Sequence, residues 1–216
     1  GGAAILSARA VREQVMKAAA HMFEAGAGDL DAAGGEIFVK GTDRTMSFRQ
    51  LAKALYSEMG RFPKELREEI ELEATRKYDP YFGTTSPASH LTMVEVDPET
   101  YGVKILHYGA ADDCGRVINP LIADGQVHGG VAQGIGAALM EEVVHDETGQ
   151  IQTASLMDYL VPTAAEIPTM TVHHVQIDLP DNLGGFRGMG EGGTIGAPAA
   201  LANAITDAVG LNVNVL

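Results

Sequence analysis

The sequence predicts an α+β fold in which helices pack with antiparallel strands. Three observations support this class. Residues 4–25 place apolar side chains at helical spacing, with arginine and lysine on the other side. Residues 88–96 and 103–111 alternate apolar and polar side chains around the turn sequence DPETYG, which is typical of an antiparallel hairpin. Residues 121–144 again have helical periodicity, although they contain five glycines.

Shorter elements are indicated in the first part of the chain. Residues 36–40, EIFVK, have the composition of a strand and precede a polar turn. Ser47 with Gln50 three positions later forms a capping-box pattern at the start of a helix. Residues 65–78 are mixed, because their charge favours an exposed helix while their apolar alternation favours an edge strand. We expect a strand in the second half of this stretch.

The helix predicted over 121–144 has an unusual glycine content. Each glycine in a helix interior costs about 1 kcal/mol relative to alanine. We therefore expect another element or a ligand to pack closely along Gly129, Gly130, Gly134 and Gly136. Gln126 and Gln133 lie two turns apart on one face, where both amides could hydrogen-bond one extended partner. Residues 170–179 alternate and predict a further strand.

Composition excludes several classes of function. The chain has 29 acidic and 15 basic residues, a net charge of -14, and no run of lysine and arginine. This balance argues against binding to nucleic acid or to an anionic membrane surface. Nothing in the sequence resembles a signal peptide or a membrane span. The single cysteine, Cys114, excludes an intramolecular disulfide and fits a reducing, cytoplasmic compartment.

The stretch from Gly184 to Asp207 is the strongest candidate for a functional site. One acid, Glu191, stands among seven glycines: Gly184, Gly185, Gly188, Gly190, Gly192, Gly193 and Gly196. A backbone this poor in side chains is entropically costly, which suggests that something approaches the main chain closely. Pro198 marks the first turn of an alanine-rich helix whose amide N–H groups should face the loop. The alternative is a glycine-rich helix cap with Glu191 as a solvated acid.

A dinucleotide-binding interpretation of this loop is weak. Gly188, Gly190 and Gly193 match G-x-G-x-x-G, and Asp207 stands near the position of a ribose-binding acid. A true fingerprint follows a buried strand and places its acid at the end of a second strand. The residues before the loop do not form such a strand, and Asp207 falls within the predicted helix.

Three ordered motifs resemble a known family. They are residues 115–142 (GRVINPLIADGQVHGGVAQGIGAALMEE), residues 157–168 (MDYLVPTAAEIP) and residues 188–208 (GMGEGGTIGAPAALANAITDA). Together they closely resemble the C-terminal end of the large subunit of molybdenum hydroxylases, the xanthine dehydrogenase and aldehyde oxidase family. The resemblance covers nearly the whole chain and is strongest from about residue 86 onward. It implies a C-terminal fragment of the molybdopterin-binding region spanning 1–216, with 81–216 as the core that carries the cofactor loops and 1–80 as a less certain portion.

The resemblance implies a catalytic role for the acid of the glycine loop. Glu191 matches the general base of the family, which deprotonates a water or hydroxide on molybdenum before the oxygen attacks an electron-poor carbon. A carboxylate can serve as a base when an apolar surrounding raises its pKa toward the working pH. The substrate would be an aldehyde, an N-heterocycle or carbon monoxide.

The same resemblance implies a set of cofactor-binding residues. Gln126 matches a position that hydrogen-bonds near the metal. Two loops match segments that line the cofactor: Arg116, Val117, Ile118 and Asn119 in the first, and Arg187, Gly188, Met189 and Gly190 in the second. Because the dithiolene of the cofactor holds the metal, no protein ligand is expected.

Cofactors and partners follow from the resemblance as well. It implies Mo-molybdopterin in the cytosine dinucleotide form, with the rest of the large subunit completing the pocket. A 2Fe-2S centre and FAD are expected on a small and a medium partner subunit. The alternative is an isolated apo fragment, a structural module without cofactor or activity.

The histidines and the cysteine have simpler interpretations than metal binding or catalysis. His128, His173 and His174 look like metal ligands, but no i,i+4 pair or nearby carboxylate set in the sequence completes a zinc site. Cys114 has no evident base beside it, so a packed thiol is expected.

Overall fold

The computed structural model describes residues 1–80 and 84–210. The chain divides into two compact units, Gly1–Asp79 and Pro80–Leu216. None of the helices in the described ranges is long and apolar enough to cross a membrane.

The first unit combines three helices with a small antiparallel sheet. In chain order its elements are α1 (Gly2–Phe23), β1 (Leu30–Ala33), β2 (Glu36–Val39), β3 (Thr45–Ser47), α2 (Phe48–Ser57) and α3 (Lys64–Glu69). The strands are ordered β1-β2-β3. Val15, Ala19, Ile37 and Leu51 lie in its buried core.

Three predictions for this unit are confirmed, and one is wrong. The strand expected over 36–40 forms as β2 (Glu36–Val39). Helix α1 forms as expected, and Ser47 caps α2 through reciprocal hydrogen bonds with Gln50. The strand expected in the second half of 65–78 does not form, since residues 70–80 contain no helix or strand. Gln14 explains the difference: its Oε1 accepts from the N–H groups of Glu71 and Leu72 at 3.1 and 2.8 Å, and its Nε2 donates to Glu73 O. A side chain here satisfies backbone groups that a strand partner would otherwise pair.

The second unit packs a three-stranded sheet against three helices. Its elements are β4 (Ala88–Val96), β5 (Val103–Asp112), α4 (Pro120–Leu139), β6 (Met170–His174), α5 (Gly192–Ile195) and α6 (Ala197–Val209). Strands β4 and β5 form the predicted antiparallel hairpin, while β6 pairs in parallel with β5. Tyr108, Val131, Ile135 and Leu201 are fully buried between these elements.

Two elements of this unit are shorter than the sequence indicates. Helix α4 ends at Leu139 instead of residue 144, because Gly136 O accepts from both Met140 N and Glu141 N at 2.9 and 2.8 Å and closes the last turn. Strand β6 ends at His174 instead of residue 179. Gln176 has a φ of 58°, which turns the backbone out of the extended conformation.

The glycines of α4 are divided between packed and open positions. A Cβ at Gly130 would lie 2.9 Å from the Cα of Gly193, and one at Gly134 would lie 2.5 Å from the Cβ of Ala197. Gly136 packs equally closely against Pro162. At Gly129 a Cβ would meet nothing within 4 Å in the described part of the chain. The expected packing by another element is therefore confirmed at three glycines, whereas at Gly129 close approach by a ligand stays a prediction.

Candidate functional site

Glu191 stands at the junction between the glycine loop and a short helix. It is the N-cap residue of α5, with φ −115° and ψ 0°, and its backbone oxygen accepts from the N–H groups of Thr194 and Ile195. The sequence predicted that the loop would run directly into α6, but the four-residue α5 intervenes. The side chain of Glu191 is exposed to solvent. The carboxylate is thus presented outward by a backbone whose conformation α5 fixes.

Two glutamines of α4 contact this loop. Gln126 Nε2 donates to the backbone oxygen of Gly190 at 2.6 Å. Two turns further along α4, Gln133 Oε1 lies 3.3 Å from Thr194 Oγ1. The same hydroxyl donates to Gly130 O at 3.0 Å. Both amides therefore contact the segment 190–194, but this shared partner is not extended, because residues 192–195 form α5. Gln126 therefore links α4 directly to the residue that precedes Glu191.

His90 supports the loop from the sheet side. Its Nδ1 lies 2.7 Å from the hydroxyl of the buried Tyr108. Burial lowers the pKa of His90, although a hydrogen bond with the Gly192 backbone and the charge of Asp112 oppose the shift. Burial also raises the pKa of Tyr108 to about 12, so the phenol stays protonated. Sequence analysis missed this contact, since His90 is simply one polar position in an alternating strand.

A cavity of about 330 Å³ opens beside Glu191. Gly188, Met189, Gly190 and Glu191 line it together with Thr84, Thr85, Ser86, Gly192 and Ile195. The N–H of Gly188 donates to Thr84 O at 2.9 Å, which joins the wall formed by 188–192 to the wall formed by 84–86. One side of this cavity is therefore mostly main chain.

A second cavity, of about 280 Å³, brings the other predicted residues together. Arg116, Val117, Ile118 and Asn119 line it, as do Cys114, Ile122, Ala123, Phe186, Arg187 and Met189. Asn119 also caps α4, because its Oδ1 accepts from Ile122 N at 3.3 Å. Met189 lines both cavities. All the predicted site residues except Gln126 thus line one of two neighbouring cavities, and Gln126 hydrogen-bonds Gly190 in the wall of the first.

The guanidinium of Arg187 is paired inside the protein. It forms an ion pair with Asp113, and the two side chains are only 13% and 5% exposed. Burial alone would raise the pKa of Asp113, but the N–H groups of Gly115 and Ile177 and the charge of Arg187 together lower it. Sequence analysis assigned no role to Asp113, because the acid that meets Arg187 lies 74 positions away.

A second buried cluster surrounds His174 at the end of β6. Its Nδ1 lies 2.6 Å from Asp112 Oδ1, and its Nε2 lies 2.8 Å from Asp124 Oδ1. Potential ligand atoms of Asp112, Cys114 and His174 all lie within 4.8 Å of one another. The expectation that no carboxylates lie near these histidines is therefore wrong for His174. His128 and His173 are exposed.

Cys114 is buried, as expected for a packed thiol. Burial raises its pKa, and the neighbouring charges of Asp112 and Asp113 add to the shift. A thiol with a raised pKa carries little thiolate at neutral pH and is a poor nucleophile.

Comparison with known proteins gives a family match over most of the chain. Residues 1–168 match the family model described as a molybdopterin cofactor-binding domain. Subunit gamma of the 6-hydroxypseudooxynicotine dehydrogenase complex of Paenarthrobacter nicotinovorans is 40% identical over 97% of this chain and 26% of that relative. The carbon monoxide dehydrogenase large chain of Afipia carboxidovorans is 34% identical over 96% of this chain and 25% of that relative.

Among solved structures, quinoline 2-oxidoreductase from Pseudomonas putida 86 is similar in fold. The TM-score is 0.81 with 39% sequence identity, covering 93% of this chain and 25% of that one. The chain spans about a quarter of the length of the relatives that it matches. Its fold and its matched sequence place it in the molybdopterin cofactor-binding domain family, as a part of a molybdenum hydroxylase large subunit.

Proposed function

We propose that this chain supplies Glu191 as the general base of a molybdenum hydroxylase that oxidises an aldehyde, an N-heterocycle or carbon monoxide. Water would be the oxygen source. The observation that carries the proposal is the position of Glu191, whose exposed carboxylate borders a cavity walled by Gly188, Gly190 and Gly192. General bases contribute roughly 10²- to 10⁴-fold to rate when they lie within hydrogen-bond reach of the proton that they remove.

The open glycines provide a test of whether a cofactor fits here. At Gly129 and Gly190 a Cβ would meet nothing within 4 Å in the described ranges, and neither residue has a positive φ. Packing and backbone conformation within this chain therefore do not require glycine at either position. Glycine is instead favoured where a group from outside approaches the main chain. Gly190 lines the first cavity, and Met189 lines both cavities.

The residues of the two cavities would have distinct roles. The cofactor, when bound, supplies the two-electron redox chemistry of the hydroxylation. Glu191 accepts the proton of the attacking water, and Gln126 holds the loop through Gly190 O. The 116–119 loop lines the cavity for the more distant part of a molybdopterin dinucleotide, which we expect to be the cytosine form. Because Asp113 already pairs with the Arg187 guanidinium, the backbone of 187–190 contacts the cofactor in place of the arginine side chain.

The proposed enzyme is an assembly. The rest of the large subunit would complete the substrate pocket, and small and medium subunits would carry a 2Fe-2S centre and FAD. One similar protein is itself named as a subunit of a dehydrogenase complex, which supports this arrangement. A single, buried cysteine is compatible with a cytoplasmic location.

Substitution of Glu191 in the intact protein that contains this chain tests the proposal. Glu191→Gln should lower kcat by about 10³-fold while the molybdenum content of the purified protein stays unchanged. Glu142→Gln, which alters an exposed acid beyond the end of α4, is the matched control and should leave both quantities unchanged. Near-normal turnover in Glu191→Gln would remove this residue from the mechanism. A wild-type protein with neither molybdenum nor turnover would favour the inert structural module.

A further inference from the structure

The surroundings of His174 determine its protonation state by geometry. Carboxylate oxygens lie against both ring nitrogens, Asp112 Oδ1 at 2.6 Å from Nδ1 and Asp124 Oδ1 at 2.8 Å from Nε2. A neutral imidazole has one N–H and one lone pair, and the lone pair would then face a carboxylate. Only the imidazolium donates to both acids. The geometry therefore fits an imidazolium that donates one hydrogen bond to each carboxylate.

Of the two carboxylate contacts of His174, burial makes the one with Asp112 the stronger. The side chains of His174 and Asp112 are 12% and 4% exposed, whereas that of Asp124 is 48% exposed. Asp112 Oδ2 is buried and has no hydrogen-bond partner in the described ranges. His174 is therefore the main compensation for a buried carboxylate, and its loss would leave an unpaired charge in the interior. The Asp124 contact adds a weaker, partly screened link.

The three residues belong to three elements, and the segment between two of them lines the second cavity. Asp112 is the last residue of β5 and His174 the last of β6, while Asp124 lies in the second turn of α4. The chain between Asp112 and Asp124 contains the 116–119 loop, and Ile122 and Ala123 line the same cavity. Fixing both ends of this segment to one ring therefore fixes that wall of the cavity.

We propose that His174 is a positioning residue, an imidazolium that holds the 116–119 loop and the first turns of α4 in the arrangement that receives the cofactor. This role rests on the proposed function, since it assigns the cavity wall to the cofactor. His174 acts through Asp112 and Asp124 and does not itself contact the bound group.

The proposal predicts a pH dependence with a definite sign. The groups that face the ring are Asp112 from β5, Asp124 from α4 and the Cys114 thiol from the loop after β5. Burial alone would lower the pKa of His174, but Asp124 and Asp112 together raise it. A group with a raised folded-state pKa stabilises fully below its unfolded value, about 6.5 for histidine, and loses that contribution as pH rises through the folded value. The cavity wall should therefore loosen as pH rises above about 6.5 through the folded-state pKa of His174.

Hydrogen exchange measured by mass spectrometry on the intact protein tests this inference. The peptide covering residues 119–126 should exchange about tenfold faster in His174→Gln than in wild type at pH 6.5, as expected for loss of a charged hydrogen bond. Wild-type exchange, corrected for the intrinsic pH dependence, should approach that of the variant as pH rises. The molybdenum content of purified His174→Gln should also be lower than that of wild type. His173→Gln changes the exposed neighbour in the same strand and should match wild type.

A milder variant covers the case in which His174→Gln does not fold. Asp124→Ala leaves the buried Asp112–His174 pair intact and removes only the hydrogen bond to α4, so it should raise exchange in the same peptide. Equal exchange in the His174, Asp124 and His173 variants would overturn the proposal. So would fast exchange with full molybdenum content, since the wall would then not position the cofactor. One equivalent of zinc in wild type that is lost in Cys114→Ser would make the cluster a metal site instead.

The exchange measurement also separates this inference from the proposed function. If wild type contains no molybdenum but His174→Gln still raises exchange at 119–126, the proposed function fails and the link through His174 remains. If molybdenum is present and exchange does not respond, the proposed function remains and the positioning role fails.

Discussion

Gln126 Nε2 and Gly190 O form a 2.6 Å hydrogen bond between residues 64 positions apart. The contact joins the exposed face of α4 to the backbone directly before Glu191. Gly130 and Gly134 allow α5 and α6 to approach α4 closely, so this amide spans the gap between the helix and the loop. Packing and one polar contact together determine where the carboxylate is presented.

Replacing Gln126 with leucine should therefore displace the loop without removing the acid. A misplacement of about 1 Å at a catalytic group can cost about 10²-fold in rate. We expect kcat to fall by about that factor, with molybdenum content unchanged, as measured by steady-state kinetics and metal analysis of the intact protein. Gln133→Leu is the control on the same face, because its contact with Thr194 Oγ1 is longer, at 3.3 Å. Equal kinetics in the two variants would show that the Gly190 contact does not place Glu191.

Alanine substitution along α4 should separate the packed glycines from the open one. A Cβ at Gly130 or Gly134 would collide with α5 or α6, and overpacking of this kind typically costs about 1–3 kcal/mol. Gly129→Ala meets no neighbour and should instead stabilise the helix by up to about 1 kcal/mol. Chemical denaturation of the three variants measures whether each substitution lowers or raises the free energy of unfolding.

The Gly129 variant has a second readout. If the open face is kept for the cofactor, Gly129→Ala should lower the molybdenum content even though it stabilises the fold. Full molybdenum content in this variant would show that the cofactor does not approach Gly129.

These glycines also illustrate how much of the structure the sequence predicts. Periodicity and the cost of glycine predicted a helix with a closely packed face, but they could not distinguish Gly129 from Gly130, because that depends on which element lies opposite. The capping box at Ser47 was predictable because all of its atoms lie within one turn. The pairs Arg187–Asp113 and His174–Asp112 were not, since 74 and 62 positions separate the partners. Local chemistry is readable from sequence, whereas contacts made by tertiary packing are not.

The N-terminal unit offers an independent test at the start of α2. Ser47 Oγ accepts from Gln50 N at 3.2 Å, and Ser47 N donates to Gln50 Oε1 at 2.8 Å. Ser47→Ala should lower the free energy of unfolding by about 1 kcal/mol, because a helix N–H loses its partner. Ser57→Ala, at the exposed C-terminal end of the same helix, should change it by less than about 0.5 kcal/mol. A double-mutant cycle with Gln50→Ala measures the coupling, and additive effects would contradict the reciprocal cap.

The buried pair of Asp113 and Arg187 should dominate the acid stability of the C-terminal unit. Asp113→Asn leaves the arginine charge uncompensated, and breaking a buried pair in this way typically costs about 3–5 kcal/mol. Asp158→Asn, at an exposed acid of the same unit, is the matched control and should cost less than about 1 kcal/mol. Denaturant titrations at neutral pH give both values.

The pH dependence of the same variants separates the contribution of the Asp113 charge to stability from that of its hydrogen bonds. Because the folded-state pKa of Asp113 is lowered, its contribution to stability is present above the unfolded value, about 3.9 for aspartate, and is lost as pH falls through the folded value. Wild type should therefore lose stability more steeply than Asp113→Asn as pH falls below about 4. Parallel pH profiles for the two proteins would mean that Asp113 acts through its hydrogen bonds to Gly115 N and Ile177 N, both 2.9 Å, and that the Arg187 charge contributes little. Since Arg187 borders the second cavity, the steeper profile would tie the charge of Asp113 to the structure of the 187–190 loop, which we propose contacts the cofactor.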